Sequence, residues 1–123
     1  GAILLGAVTA PLCYFAVAVI RPKLGYDDSL DAFGIHGVGG IAGAIGTAVV
    51  FSPALGGPGP ANYDMAAKLG VQLAAVGTTI AWSVVGTAVA ITVAKLVTGL
   101  RAAPDAEREG LDLAEHGERA WNL

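Results

Sequence analysis

Apolar residues run almost unbroken over three stretches of the chain, and polar and charged positions gather between and after them. Residues 1–20, "GAILLGAVTAPLCYFAVAVI", carry no charged side chain, and about 20 such residues suffice to cross the hydrocarbon core of a bilayer. The pattern predicts a helix there, kinked near its middle by Pro11, a defect that membrane bundles tolerate. A second apolar run covers 31–51 and a third 68–99. At 1.5 Å per residue the third is about 48 Å long, so it must tilt or protrude. A polar loop, 21–30, and a Gly- and Pro-rich loop, 52–67, separate the spans. The expected fold class is all-α, a polytopic transmembrane helix bundle, followed by a polar tail over 100–123.

Composition supports a membrane protein. Charged residues make up only 14% of the chain and mean hydropathy is +0.65, whereas an ordinary soluble domain is about one quarter charged. A net charge of −3 is too small, and of the wrong sign, for a nucleic-acid partner. The one cysteine, Cys13, lies in an apolar run and reads as packing rather than as a disulfide or metal ligand. The opening on Gly1, without methionine or a basic stretch, is unlike a secretory signal and points to a chain beginning mid-protein. Arg21 and Lys23 mark the first loop as cytoplasmic, the second loop has no basic residue before Lys68, and Lys95 with Arg101 returns the tail to the cytoplasm. Three spans obeying the positive-inside rule satisfy that alternation.

The stretch "DAFGIHGVGGIAG" carries the candidate chemistry. His36 is the only ionisable side chain strictly inside the second span. Eight residues beyond Asp28 it lies about 12 Å in, near the middle of a core about 30 Å thick. On an α-helix its face carries Ala32, Gly39, Gly40, Gly43 and Thr47, while Val38, Ile41, Ile45 and Val49 take the opposite face. Small residues at such spacing, Gly39-x-x-x-Gly43 among them, admit a second helix; beside an imidazole they equally border a lumen. Ionisable groups within a membrane are costly and mark function by default. The competing role is a packing histidine bonded to a neighbouring backbone. The match of "GVGGIA" to dinucleotide-site glycines fails because no apolar strand precedes it. A haem would call for a second membrane histidine, and His116 lies in the polar tail.

Asp27, Asp28 and Asp31 cluster where the second span begins. Asp28 or Ser29 can cap that helix, and carboxylates complement the positive end of its dipole; together the three also give a cation-attracting mouth. Nine of the 24 tail residues are charged, six of them acidic. "PDAEREG" predicts a short helix from Pro104 to a stop at Gly110. Asp112 and Glu115 have capping-box spacing, with Gly117 as the next stop.

"DDSLDAFGIHGVGGIAGAIGT", followed after a long apolar helix by "GLR…EREGLDLAEHGERAWN", resembles the C-terminal end of the ammonium transporter family (Amt/Mep/Rh) through nearly all 123 residues. The resemblance implies spans nine, ten and eleven of an eleven-span fold plus a cytoplasmic tail, in a multi-pass protein of the cell (inner) membrane. It implies that His36 is one of two histidines facing each other across a narrow apolar pore, the other coming from the remaining N-terminal spans. Ala32, Gly40 and Thr47 would line that pore, and Asp31 would match an acidic residue that positions the helix. The tail, with Arg101, Gly110, Leu111, Asp112, His116, Gly117 and Trp121, would match the region that contacts a neighbouring subunit of a homotrimer and helps engage a PII-type signalling protein. Ala114 stands near a threonine that plant relatives phosphorylate, and Trp121 where tyrosine is usual. The substrate would be ammonium or ammonia, the protein would not be an enzyme, and no cofactor or metal is expected. The rival readings are a structural helical subunit of another membrane complex, an ammonium sensor without transport, a membrane enzyme using His36, and a tail acting alone as a binding module.

Overall fold

The computed structural model describes residues 1–118, so Trp121 lies outside the described residues. Every regular element among these residues is helical. Three helices are long and apolar enough to cross a membrane: α1 (Ala2–Leu24), α2 (Phe33–Val50) and α3 (Met65–Val97). Two short helices follow, α4 (Pro104–Glu109) and α5 (Leu111–His116). The chain forms two compact units, one of Gly1–Trp82 and one from Ser83 onward.

In the first unit, α1 and α2 pack antiparallel, and glycines set how closely. A Cβ added at Gly34 would stand 2.6 Å from Val17 Cγ2, one at Gly39 would stand 3.1 Å from Cys13 Sγ, and one at Gly46 would collide with Leu5. Gly1 lies against Val50 in the same way. On α1 the contacts fall on Leu5, Thr9, Cys13 and Val17, a row of four-residue steps such as forms a helix ridge. Dispersion across this seam, with no bulk between the backbones, is the expected source of attraction between helices in lipid.

Neither helix is α-helical throughout. A π turn occupies Ala16–Ile20 of α1, where the N–H of Arg21 donates to the carbonyl of Ala16, and another occupies Phe33–Gly37 of α2. The two π turns lie against each other. Helical structure in α1 also continues through Arg21–Leu24, four residues into the stretch expected as loop, and stops at Gly25. Of the glycine pair expected to admit a second helix, Gly39 does so, its Cβ position facing Cys13 of α1, whereas nothing stands within 4 Å of where a Cβ of Gly43 would be. Close approach thus runs through Gly34, Gly39 and Gly46, not through the Gly39-x-x-x-Gly43 pair.

At the far end of α2, the loop folds back on the helix. Backbone N–H groups of Gly57 and Gly59 donate to the carbonyls of Ser52 and Phe51 at 3.0 and 2.9 Å. Tyr63 stacks at a tilt on Phe51, 5.6 Å between ring centres, and its hydroxyl donates to the Ala48 carbonyl at 2.5 Å. Asp64 Oδ1 accepts from the N–H of Ala67 at 3.0 Å and so caps the start of α3. With 33 residues, α3 is about 50 Å long. It is apolar on all sides, Trp82 being 78% and Leu96 81% exposed, as a helix is when lipid or other spans surround it.

In the second unit, α4 ends at Gly110 and α5 ends at Gly117, which takes a left-handed conformation. The N-cap of α5 is Gly110. Asp112 is therefore inside the first turn rather than capping, since the N–H groups of α5 already begin at Leu111. A carboxylate there still favours the positive end of the helix.

Candidate functional site

His36 sits in the π turn of α2, and its imidazole is exposed. Among the described residues no hydrogen bond holds it to a neighbouring backbone. Ala32, Gly40 and Thr47 are exposed as well, with open space within 4 Å of the Gly40 Cβ position. Thr47 spends its hydroxyl proton on the Gly43 carbonyl of its own helix, at 2.8 Å. These residues thus lie outside the seam with α1, whereas Gly34 is buried within it.

The entrance to α2 is tied down by carboxylates with distinct tasks. Asp28 accepts from two free N–H groups of the helix, those of Ala32 and Phe33, at 2.8 and 2.9 Å. Among the described residues Asp31 is the only non-glycine one with positive φ, at 55°, and its carboxylate pairs with the guanidinium of Arg21. The same guanidinium donates to the Asp28 carbonyl at 2.8 Å. Arg21 therefore joins the end of α1 to the start of α2, and both partners are half-buried. Asp27 is exposed. Sequence reading gave Arg21 a role only in orientation. Its reach to Asp31, ten residues on, has no periodic signature.

A second feature invisible to spacing lies at the other end of α2. Thr47, Ala48, Phe51, Tyr63, Lys68 and Gln72 line a cavity of about 210 Å³. The fold-back of Tyr63 builds it, bringing the start of α3 beside Thr47.

In the tail, Arg101 grips Glu107 with two hydrogen bonds, Nε to Oε1 at 2.6 Å and Nη2 to Oε2 at 3.1 Å. This contact, chiefly its hydrogen bonds, holds the Glu107 carboxyl below its ordinary value. A depressed folded-state value means the contact contributes fully above the unfolded carboxylate range and fades as pH falls through the lower, folded value. Helix content of α4, followed by circular dichroism of the chain in micelles, is expected to decline on acidification only below the ordinary glutamate range. Glu107→Gln should remove that acid limb, and an unchanged limb would assign it to another group. Leu111, Asp112 and His116 lie on α5, between the turns at Gly110 and Gly117.

These features define a helical membrane protein whose second span presents an open histidine. The family model for the Ammonium Transporter Family matches residues 1–121. An ammonium transporter of Aquifex aeolicus is 46% identical over 123 residues, covering all of this chain and 29% of that protein. One of Bacillus subtilis is 36% identical over 97% of the chain and 30% of its own length, and Ammonium transporter Amt1 of Archaeoglobus fulgidus is 35% identical over 98% and 31%. No solved structure matches the chain significantly. The chain belongs to the Ammonium Transporter Family, and it spans about three tenths of the length of these relatives.

Proposed function

We propose that this chain forms the C-terminal part of a pore that conducts ammonia across the cell (inner) membrane, with His36 in its wall. The observation that carries the reading is the exposed imidazole of His36 in the π turn that opens α2, on a part of that helix that the α1 seam leaves open. Bare ammonium entering hydrocarbon would lose its hydration at great cost, whereas neutral ammonia loses far less. An apolar, glycine-rich wall therefore favours deprotonation at the entrance, and the imidazole then offers the passing ammonia a hydrogen-bond partner. A second histidine, from spans that precede this chain, would complete the pair and relay the released proton. Halves meeting at the midplane are a common transporter plan. Asp27, Asp28 and Asp31 belong to the cytoplasmic mouth in this reading. The tail from Arg101 onward is cytoplasmic, touches a neighbouring subunit of a homotrimer and helps to engage a PII-type signalling protein.

The test is His36→Ala in the full-length transporter. Protein amount and melting temperature are expected to match the parent, because the ring takes no part in the α1–α2 seam. Ammonium flux should fall about tenfold or more, or lose its discrimination against potassium, since pore selectivity depends on the groups that line it. Normal selective flux from the variant would remove His36 from the mechanism.

A further inference from the structure

The contact between Gly34 and Val17 lies two residues from His36, and the π turn is what brings it about. The α2 residues whose Cβ positions crowd α1 are Gly34, Gly39 and Gly46, with Val50 closing the seam against Gly1. The step from Gly46 to Gly39 is seven, two ordinary α turns. The step from Gly39 to Gly34 is five, one more than an α-helix gives, as expected across a turn that holds an extra residue. Ordinary α-helical counting would place Ile35 in the seam. Instead Gly34 is buried there and Ile35 is 48% exposed. One residue of slip re-aims everything on that turn by about 100°, His36 included.

Only glycine fits the re-aimed turn. A Cβ at position 34 would meet Val17 Cγ2 at 2.6 Å, with the Val17 backbone nitrogen at 3.4 Å behind it. The opposing helix is matched to it: Val17 lies within α1's own π turn, Ala16–Ile20. A thiol completes the contact. The carbonyl of Ile35, the residue before His36, accepts from the Sγ of Cys13 at 3.7 Å, while the N–H of Val38 reaches back across the turn to both Phe33 and Ile35. Buried helix positions are rigid because interiors are close-packed, so this seam fixes the direction in which an otherwise unheld imidazole projects.

We propose that Gly34 and Val17, seconded by Cys13, are positioning residues for His36: their contact keeps the Phe33–Gly37 turn in its π form and so aims the imidazole at the conduction path. The proposal rests on the pore reading of His36 given above. Displacements of about 1 Å at a working group cost up to about a hundredfold, so steric pressure at Gly34 should be read out in flux although Gly34 touches no substrate.

The experiment uses the full-length transporter reconstituted in liposomes, comparing the parent with Gly34→Ala, Gly34→Ala/Val17→Ala, Cys13→Ala and His36→Ala. Flux of ammonium and methylammonium is measured across pH, normalised to folded protein. Gly34→Ala is expected to lower flux about tenfold and to displace its pH profile. Removing Cγ2 with Val17→Ala leaves the new methyl in ordinary contact, so the double variant should recover to within about threefold of the parent. If His36→Ala impairs transport while Gly34→Ala does not, positioning is overturned and the pore reading stands. If His36→Ala is silent, the pore reading itself fails, whatever Gly34→Ala does. A double variant that is folded but remains as impaired as Gly34→Ala also overturns the proposal. Should Gly34→Ala fail to accumulate, Cys13→Ala decides: a pH profile displaced from the parent's supports positioning, and a superimposable profile overturns it.

Discussion

Gly57→Ala is expected to destabilise the protein by about 3 kcal/mol or more, the largest loss foreseen for any single methyl added to this chain. A Cβ at that position would run into main-chain atoms of Val50 and Phe51, with the Phe51 carbonyl oxygen at 2.5 Å. Main chain cannot rotate aside as a side-chain tip can, so the loop must lift off the end of α2. Lifting it strains the bonds from Gly57 and Gly59 to Ser52 and Phe51 and pulls at the Tyr63 hydroxyl on Ala48. Neighbouring glycines separate this cause from backbone strain. Gly56 has φ of +75° but open space around it, so Gly56→Ala should cost only the left-handed penalty of about 1–2 kcal/mol. Gly70 lies within α3, also in open space, and Gly70→Ala should be neutral or stabilising by up to about 1 kcal/mol. Thermal unfolding of the full-length variants in detergent gives the order directly. Equal losses at Gly56 and Gly57 would mean that the close approach is not what holds the loop.

The same loop shows what spacing reveals and what it conceals. A span must be apolar on every side, so three long apolar runs announce three helices without reference to any partner, and α1, α2 and α3 are legible for that reason. Capping is equally local. Asp28 can be picked out as a cap because its acceptors need only reach N–H groups four and five residues on. Asp112 shows the limit, since its spacing to Glu115 mimics a capping box that the turn at Gly110 makes unnecessary. The π turns leave no trace in hydrophobic period, because one extra residue alters phase without altering composition. As a result, α-helical counting pairs Gly39 with Gly43 in one close approach, whereas the approach is made by Gly34, Gly39 and Gly46. Contacts between distant segments, such as Arg21 with Asp31 and Tyr63 with Ala48, depend on how the loops close and were not legible at all. The resemblance to transporters came from the order of residues around His36 and in the tail, which periodicity alone does not encode.

Gly110→Asp is the variant expected to disturb the tail most. Gly110 has φ of +103° and serves two helices at once. Its N–H donates to the Ala106 carbonyl as α4 ends, and its carbonyl accepts from the N–H of Ala114 as α5 begins, at 3.0 and 2.9 Å. An L-residue held there is strained by about 1–3 kcal/mol. Its Cβ would also lie 2.8 Å from Asp112 Oδ1, so an aspartate sets one carboxylate against another. The hinge between α4 and α5 must then change, while the spans, which make no use of Gly110, keep their fold. If the tail acts on the transporter as proposed, flux through the full-length protein should fall about tenfold, or binding of the PII-type partner should weaken by a similar factor. Gly110→Ala, which adds strain without charge, should fall between the parent and Gly110→Asp. Gly117→Asn should be mild, because φ of +64° at a helix end is one that asparagine tolerates. Truncation after Arg101 reports on the tail as a whole. Flux and partner affinity equal to the parent's in both Gly110→Asp and the truncated protein would reduce α4 and α5 to a solvated extension, whereas a change confined to partner affinity would make them a docking element that leaves the pore alone.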